Sequence, residues 1–199
     1  MLSELYCENC GYKKYSFERF GELMLEIDLE AGGGAGKGGK IVDVGELVRD
    51  CFFTEEIEDF YCGECKEKGT VQKTNMVWRF PKTLFLNLNR FVWYPFPRKV
   101  KQRVSFKNFD MDLGQFRQDV VDLESLHKGF DGGKGVYRVK GWVKHKGGMD
   151  AGHYTADVRS EGEWWGIDDD KVGKIDLLEW ERGIEMGSEE VYVVGLELI

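Results

Sequence analysis

Apolar and polar residues alternate with a period of two along several segments of this chain, a pattern typical of half-buried β-strands. Four such segments fall in the C-terminal part, at residues 136–144, 154–159, 164–167 and 190–198. Turn residues separate them around positions 146–148 and 161–163. Residues 84–91 are largely apolar, as in a central strand of a sheet. The pattern therefore predicts an α+β domain dominated by an antiparallel sheet, with a few short helices.

The N-terminal part gives a mixed prediction. Alternation favours strands over residues 14–29 and 98–106, and β-prone polar residues favour another over residues 69–78. Residues 44–60 instead carry apolar side chains at helical spacing, so a helix is expected there. The residues that set this spacing are Leu47, Val48, Cys51 and Phe52.

Two stretches are predicted to be loops. Residues 31–39 are too rich in glycine to order themselves. A phosphate-binding loop is the sharper interpretation, but no Ser or Thr follows Lys37 and no helical pattern opens directly after it. A flexible loop is therefore favoured. Residues 119–135 are poorly patterned and contain Asp131-Gly132-Gly133, which makes them the second loop candidate.

Four of the five cysteines form two Cys-x-x-Cys pairs, Cys7/Cys10 and Cys62/Cys65. Zinc binds four thiolates as a closed tetrahedron, and a two-residue spacer lets each pair turn both sulfurs towards one ion. Two disulfides or a redox-active pair are the alternatives. The polar residues after Met1 contain no apolar signal core, so secretion is not indicated and zinc is favoured. Four protein ligands leave no position for water or substrate, which indicates a structural metal.

Composition narrows the classes of function. The 199 residues are 42% hydrophobic, enough for one sizeable core, and no apolar run approaches the length of a membrane span. We therefore expect a soluble protein, cytoplasmic or nuclear, with no membrane partner. A formal charge of −8 makes the chain a poor candidate for binding nucleic acid. The basic residues Arg98, Lys99, Lys101 and Arg103 are interpreted as the solvated face of a strand.

Three histidines are candidates for proton transfer, and their settings differ. His127 lies in a polar stretch and is interpreted as a surface residue. His145 ends one predicted strand and His153 begins another. The glycine-containing loop between them is flexible enough to move over a cleft. His145 is therefore expected near the rim of the cleft that holds His153.

A run of three aspartates, residues 168–170, directly follows the predicted strand 164–167. A hairpin would bring Asp168 beside His153, where a carboxylate fixes the imidazole tautomer and raises its basicity. On spacing alone, an exposed histidine beside a solvated acidic turn explains the same residues almost equally well.

Five motifs, in this order, resemble the ubiquitin-specific proteases, papain-like thiol hydrolases of ubiquitin conjugates. They are Tyr61-Cys-Gly-Glu-Cys65, Arg79-Phe-Pro-Lys-Thr-Leu-Phe-Leu-Asn-Leu-Asn-Arg-Phe91, His145-Lys-Gly147, Gly152-His-Tyr-Thr-Ala156 and Trp164-Trp-Gly-Ile-Asp-Asp-Asp-Lys-Val172. Each motif alone is weakly specific, whereas the five in order, after the first Cys-x-x-Cys pair, make a highly specific match. The resemblance covers nearly the whole chain.

The resemblance implies a role for each candidate residue. His153 matches the catalytic base, Asp168 the carboxylate that orients it, and Asp169 an adjacent acidic residue that some members use to polarise the base or hold water. It also implies a papain-like palm in residues 79–199 and a zinc-bearing β-ribbon extension, the fingers, in residues 1–78. Ubiquitin or ubiquitinated proteins are the implied partners.

One element of the family pattern does not occur in this sequence. Family members open with a thumb that carries the nucleophilic cysteine in a Gly-Asn-Thr-Cys motif. The four paired cysteines are assigned to zinc, and Cys51 lies on an apolar helical face, where a thiol is expected to be buried and inert. We therefore expect the C-terminal half of a catalytic domain, silent by itself. It is either a fragment, a truncated gene product, or one half of a split enzyme whose thumb segment is supplied from elsewhere. A zinc-stabilised module that binds ubiquitin without cleaving it is the alternative.

Overall fold

The computed structural model describes residues 1–27, 41–93, 96–107, 109–117, 133–176 and 187–199. Within these ranges the strands are β1 (Leu2–Cys7), β2 (Lys13–Phe17), β3 (Glu22–Glu26), β4 (Val42–Asp43), β5 (Thr54–Tyr61), β6 (Lys68–Met76), β7 (Thr83–Asn89), β8 (Phe91–Val92), β9 (Arg98–Lys99), β10 (Val104–Ser105), β11 (Asp110–Asp112), β12 (Val136–Gly147), β13 (Gly152–Ser160), β14 (Glu163–Asp168), β15 (Lys171–Lys174) and β16 (Val191–Leu198). The helix α1 (Val44–Asp50) follows β4, and a short 3₁₀ helix (Gly114–Phe116) follows β11. None of the helices in these ranges is long and apolar enough to cross a membrane.

The larger sheet has eight strands. Seven follow the order β15-β14-β13-β12-β16-β7-β3, and β11 pairs with the first residues of β12. Only the pairing of β3 with β7 is parallel among the strands described for this sheet. The four strands predicted from alternation in the C-terminal part are present as β12, β13, β14 and β16. The predicted sheet-dominated architecture with few helices is therefore confirmed.

The core lies on one face of this larger sheet. In β7, Leu84, Leu86 and Leu88 are fully buried, whereas Phe85 between them is 47% exposed. The helix α1 and the short parallel pair of β4 and β10 pack against the leucine side. β7 lies between β16 and β3, which confirms the predicted central strand, although only one of its faces carries the core.

The smaller sheet has four antiparallel strands in the order β2-β1-β6-β5. Since β1 and β5 both run antiparallel to β6, their C-terminal ends meet at the same end of the sheet. Cys7 ends β1 and Cys62 follows β5, so the two Cys-x-x-Cys pairs meet there on either side of β6. β3 and α1 precede residue 78, but β3 belongs to the larger sheet and α1 packs against it. The boundary between the two sheets therefore does not fall at residue 78.

The helix predicted over residues 44–60 ends at Asp50. It begins at Val44 as predicted, because the Asp43 carboxylate accepts a hydrogen bond from the N–H of Gly45 and caps the first turn. Residues 54–61 form the edge strand β5, whose acidic side chains face solvent. Pairing with β6 satisfies the backbone of this segment, and such tertiary pairing overrides a weak local pattern. Asp59 has a φ of 56° where the ladder is irregular, as in a β-bulge.

Two predicted strands also differ from the structure. Residues 14–29 divide between β2 and β3, which belong to different sheets, although Leu23, Leu25 and Ile27 alternate into the core as predicted. Residues 98–106 contain only the two-residue strands β9 and β10. The predicted alternation of burial holds from Val100 to Val104 but ends at Ser105, which is buried beside Val104. Between β9 and β10 the N–H of Val100 donates to the carbonyl of Arg90 outside any ladder. The loop predicted at residues 31–39, most of the one predicted at 119–135, and His127 lie outside the described residues.

Candidate functional site

The hairpin of β13 and β14 brings His153 and Asp168 together. The turn between the strands has Glu161 and Gly162 at positive φ angles of 52° and 84°. Two-residue hairpin turns with positive φ at both central residues match the twist of the strands that they join. The register of this hairpin, continued by one step from its last pair, sets Asp168 opposite Thr155. His153 lies two residues further along the same face, so the two side chains are diagonal neighbours.

His153 and Asp168 share a short hydrogen bond. Nε2 of His153 lies 2.5 Å from Oδ1 of Asp168, which confirms the predicted pairing. The hydrogen bond and the charge of Asp168 raise the pKa of the His153 imidazole. In turn, the hydrogen bond from His153 lowers the pKa of the Asp168 carboxyl. Because Nε2 faces the carboxylate, Nδ1 is the nitrogen left to exchange a proton with a reacting group.

Asp169 lies close to both His153 and Asp168. It is the first residue of the two-residue turn between β14 and β15, and its φ is 52°, a left-handed conformation that Asp tolerates better than most residues. One donor atom from each of His153, Asp168 and Asp169 lies within 4.8 Å of the other two. The charge of Asp169 adds slightly to the rise in the pKa of His153.

His145 lies beside this group in a different setting. It pairs with Tyr154 across β12 and β13, one position before the pairing of Lys146 with His153. It is only 4% exposed, so the structure buries it instead of placing it at a rim. It lines a cleft of about 560 Å³ together with aromatic side chains and the loop at residues 148–152. His153 does not line that cleft, so the expectation of one shared cleft is wrong. The aromatic residues are Phe91, Trp93, Tyr154 and Tyr192.

The four paired cysteines lie together at the end of the four-stranded sheet. Their sulfurs all lie within 4.8 Å of one another, and Sγ of Cys10 is 3.9 Å from Sγ of Cys62. Cys7 and Cys62 are buried against Val71 of β6. Such a set of four thiols could hold a metal ion.

The two Cys-x-x-Cys turns have the same backbone geometry. The N–H of Gly11 donates to the carbonyl of Cys7, and the N–H of Lys66 donates to the carbonyl of Cys62, both at 2.8 Å. Gly11 and Lys66 occupy equivalent positions and both have positive φ, 72° and 57°. The backbone N–H groups of Cys65 and Glu64 lower the pKa of the Cys62 thiol to about 7. This favours the thiolate, the form that binds metals, at Cys62, whereas burial and the neighbouring thiols raise the pKa of Cys65 to about 12.

Cys51 lies far from His153. It caps the C-terminus of α1, and its Sγ lies 3.6 Å from the carbonyl oxygens of Leu47 and Met24. Met24 belongs to β3, four strands away from β13, and adjacent strands lie about 4.8 Å apart, so the separation is about 19 Å. Burial raises the pKa of Cys51 to about 11. This thiol is therefore neither activated nor within reach of the candidate base.

Sequence reasoning missed Arg90, which organises the chain next to the cleft. Its side chain is fully buried, although it directly follows β7 as a charged residue. The guanidinium donates to the carbonyls of Val100, Gln102, Ser188 and Val191 at 2.6–3.1 Å. Burial lowers its pKa to about 10. Backbone carbonyls leave no pattern in a sequence, so no signal could have identified this arrangement.

A buried carboxylate in β13 was also missed. Asp157 is 4% exposed and accepts hydrogen bonds from Nε1 of Trp142 and Nζ of Lys144, both at 2.8 Å. It shares a face of β13 with His153, four residues away. The signal available in the sequence was an aspartate at a position that alternation assigns to the inner face, which needs a buried partner.

The sequence matches the family model described as ubiquitin carboxyl-terminal hydrolase over residues 1–193. It is similar to Ubiquitin carboxyl-terminal hydrolase 21 of Rattus norvegicus, with 32% identity over 207 residues, covering 100% of this chain and 32% of the relative. It is also similar to Ubiquitin carboxyl-terminal hydrolase 3 of Mus musculus, with 32% identity over 180 residues, covering 86% of this chain and 33% of the relative. The chain thus spans about a third of the length of these relatives.

Solved structures with a similar fold come from SAGA DUB modules. One is the Ubp8/Sgf11/Sus1/Sgf73 module bound to ubiquitin aldehyde, with a TM-score of 0.72 and 23% identity. Another is a yeast module with a mutant Sgf73, with a TM-score of 0.73 and 22% identity. Each comparison covers 100% of this chain and 40% of the matched chain. The likeness confirms the predicted papain-like fold.

Proposed function

Because the chain belongs to the ubiquitin carboxyl-terminal hydrolase family, we propose that it forms the base-bearing part of a thiol hydrolase that cleaves the bond after the C-terminal glycine of ubiquitin. The observation that carries the proposal is the hydrogen-bonded pair His153–Asp168 on neighbouring strands. A carboxylate on one imidazole nitrogen holds the other ready as a base, which is the arrangement that a thiol hydrolase requires.

In this proposal His153 moves two protons. Nδ1 takes the proton of a cysteine thiol, and the thiolate attacks the carbonyl carbon of the terminal glycine. The imidazolium then donates that proton to the departing lysine amine, leaving ubiquitin as a thioester. His153 next takes a proton from water, whose oxygen attacks the thioester carbonyl carbon. The C–S bond then breaks, the ubiquitin carboxylate leaves, and the imidazolium returns the proton to the sulfur. Asp168 keeps Nε2–H in place and stabilises the imidazolium.

The proposal assigns the nucleophile to a thumb segment outside the sequence 1–199. Four cysteines belong to the cluster at the end of the smaller sheet. Cys51, with its pKa raised to about 11, contacts β3, which lies about 19 Å from β13 across the sheet. His153 and Asp168 are 49% and 56% exposed, which leaves their face open to a further segment. The donors that stabilise the oxyanion are assigned to the same thumb.

We further propose that the four cysteines hold one structural zinc ion. A tetrahedral ion with Zn–S bonds of about 2.3 Å sets its sulfurs about 3.8 Å apart, and the Cys10 and Cys62 sulfurs lie 3.9 Å apart. Zinc would tie the end of β1 to the end of β5 and leave no open coordination position. Its role is to hold the four-stranded sheet, the fingers of the family, in shape.

Ubiquitin is the proposed partner. A solved structure of similar fold is bound to ubiquitin aldehyde, and the fingers and palm would contact the body of ubiquitin. An acidic chain of formal charge −8 suits a basic, extended tail. A zinc-stabilised module that binds ubiquitin without cleaving it is the second candidate, and the remoteness of Cys51 from His153 favours it over independent catalysis.

Hydrolysis of a fluorogenic ubiquitin C-terminal amide tests the proposal. The purified chain should be inactive alone and active with a Gly-Asn-Thr-Cys thumb segment. His153→Ala should abolish that activity, and Cys51→Ser should leave it unchanged. If calorimetry detects ubiquitin binding but no mixture turns over, the binding module is the better account. If neither binding nor turnover occurs, both candidates are wrong.

A further inference from the structure

The ring of His145 lies directly against Gly152, the residue that precedes His153. A Cβ at residue 152 would lie 2.7 Å from Cε1 and 2.9 Å from Cδ2 of His145, and closer still to Nε2. Real Cβ atoms do not approach other atoms this closely, so residue 152 has to be glycine while this ring is in place. The first residue of β13 therefore rests on the imidazole of His145.

The ring is itself held in place from several sides. Its centroid lies 4.6 Å from that of Tyr154 and 5.5 Å from that of Phe91. Its backbone N–H donates to the carbonyl of Glu190 at 2.8 Å, and its carbonyl accepts a hydrogen bond from Lys99. His145 thus connects β13 to the hairpin of β8 and β9 and to the segment before β16.

We propose that His145 is a positioning residue, whose ring fixes Gly152 so that the next residue, His153, points at Asp168. The inference rests on the proposed function, in which His153 is the base. A glycine has more backbone freedom than any other residue, and β13 begins here, where Gly152 and Gly147 form the last pair with β12, so this end of the strand is prone to fray. Contact with the ring of His145 restricts the backbone of Gly152.

The shape of the ring, and not its nitrogen chemistry, performs this role. Nδ1 of His145 is buried without a hydrogen-bond partner among the described residues. Burial, and then the charge of Lys99, lower the pKa of His145, which favours the neutral form of the ring. A phenylalanine would keep the contact with Gly152 and remove the unsatisfied nitrogen. His145→Phe should therefore preserve the position of His153, whereas His145→Ala should not.

Histidine NMR titration of the purified chain tests this proposal. The sequence contains three histidines, so each signal can be assigned by substitution. Asp168→Asn defines the full decrease in the pKa of His153 when its partner is lost. His145→Ala and Gly152→Ala should each produce most of that decrease, and His145→Phe should produce none. In the His145→Ala background, Gly152→Ala should have little further effect, because the clashing ring is gone.

Two results would overturn the proposal: an unchanged His153 pKa in His145→Ala, or an equal decrease in His145→Phe and His145→Ala. Amide spectra show which variants fold. If Gly152→Ala does not fold, the comparison of His145→Phe with His145→Ala decides, and His145→Val replaces an unstable alanine variant. A different result would overturn the proposed function. If Asp168→Asn does not lower the pKa of His153, the pair itself is absent, and this outcome requires no ubiquitin or thumb segment.

Discussion

His153 donates to Asp168 across the β13–β14 hairpin at 2.5 Å, and both side chains are about half exposed. A carboxylate and an imidazole in water gain little from such contact, since solvent screens exposed charges. The pair is therefore poorly explained as a device for stability. Its geometry fits the proposed role of His153 as a base that acts together with the proposed thumb segment.

The first prediction concerns the pH dependence of this pair. Folding raises the pKa of His153, so its contribution is complete below the ordinary value of 6.5 and is lost as the pH rises through the raised value. Folding lowers the pKa of Asp168, so its contribution is complete above 3.8 and is lost as the pH falls through the lowered value. The wild type should exceed Asp168→Asn in stability mainly between pH 3.8 and 6.5.

Urea unfolding of both proteins at a series of pH values measures this difference. Asp170→Asn is the matched control, because Asp170 is exposed and lies two residues away in the same turn region. A difference between the wild type and Asp168→Asn that stays constant with pH would contradict the assignment.

The second prediction concerns the cysteine cluster. Wild-type protein should carry about one zinc ion per chain. Cys62→Ser should lose it, because three thiolates bind zinc much more weakly than four. Elemental analysis measures the metal. Hydrogen exchange should become faster in β1, β5 and β6 and stay unchanged in β12 to β14. Cys51→Ser should retain the zinc, and equal zinc in Cys62→Ser and the wild type would remove the basis of the proposal.

The third prediction concerns Arg90. Arg90→Lys keeps the charge but cannot donate to four carbonyls in different directions, so buried acceptors are left unsatisfied. The free energy of unfolding should fall by about 2–4 kcal/mol. Arg98→Lys, at an exposed position, should change it by less than about 0.5 kcal/mol. Denaturant titration distinguishes the two, and equal effects would show that the buried hydrogen bonds contribute nothing measurable.

Local patterns in the sequence predicted the strands and the turn that build the candidate site. Strands β12 to β14 bury one face, so their side chains alternate, and Gly162 supplies one of the two positive φ angles that the turn requires. Together they fixed which face of the hairpin His153 and Asp168 share. The cysteine cluster was equally predictable, because two-residue spacers and four thiols suit one ion.

Features that depend on distant backbone contacts could not be predicted. Arg90 reaches the carbonyl of Val191, which lies 101 residues away in the chain. The burial of His145 depends on close approach to Gly152 across a loop. Residues 54–61 form an exposed edge strand, where neither face is buried and the alternation that identifies strands is weak.

A ubiquitin that carries a thiol-reactive electrophile at its C-terminus tests the central claim most directly, because it labels the nucleophile itself. Mass spectrometry of the purified chain mixed with a Gly-Asn-Thr-Cys thumb segment would locate the adduct. We expect the adduct on the cysteine of the thumb segment, a strong decrease in labelling with His153→Ala, and no adduct on any of the chain's five cysteines. An adduct on Cys51 that forms without the thumb and disappears with His153→Ala would contradict the account, since it would place nucleophile and base within one chain.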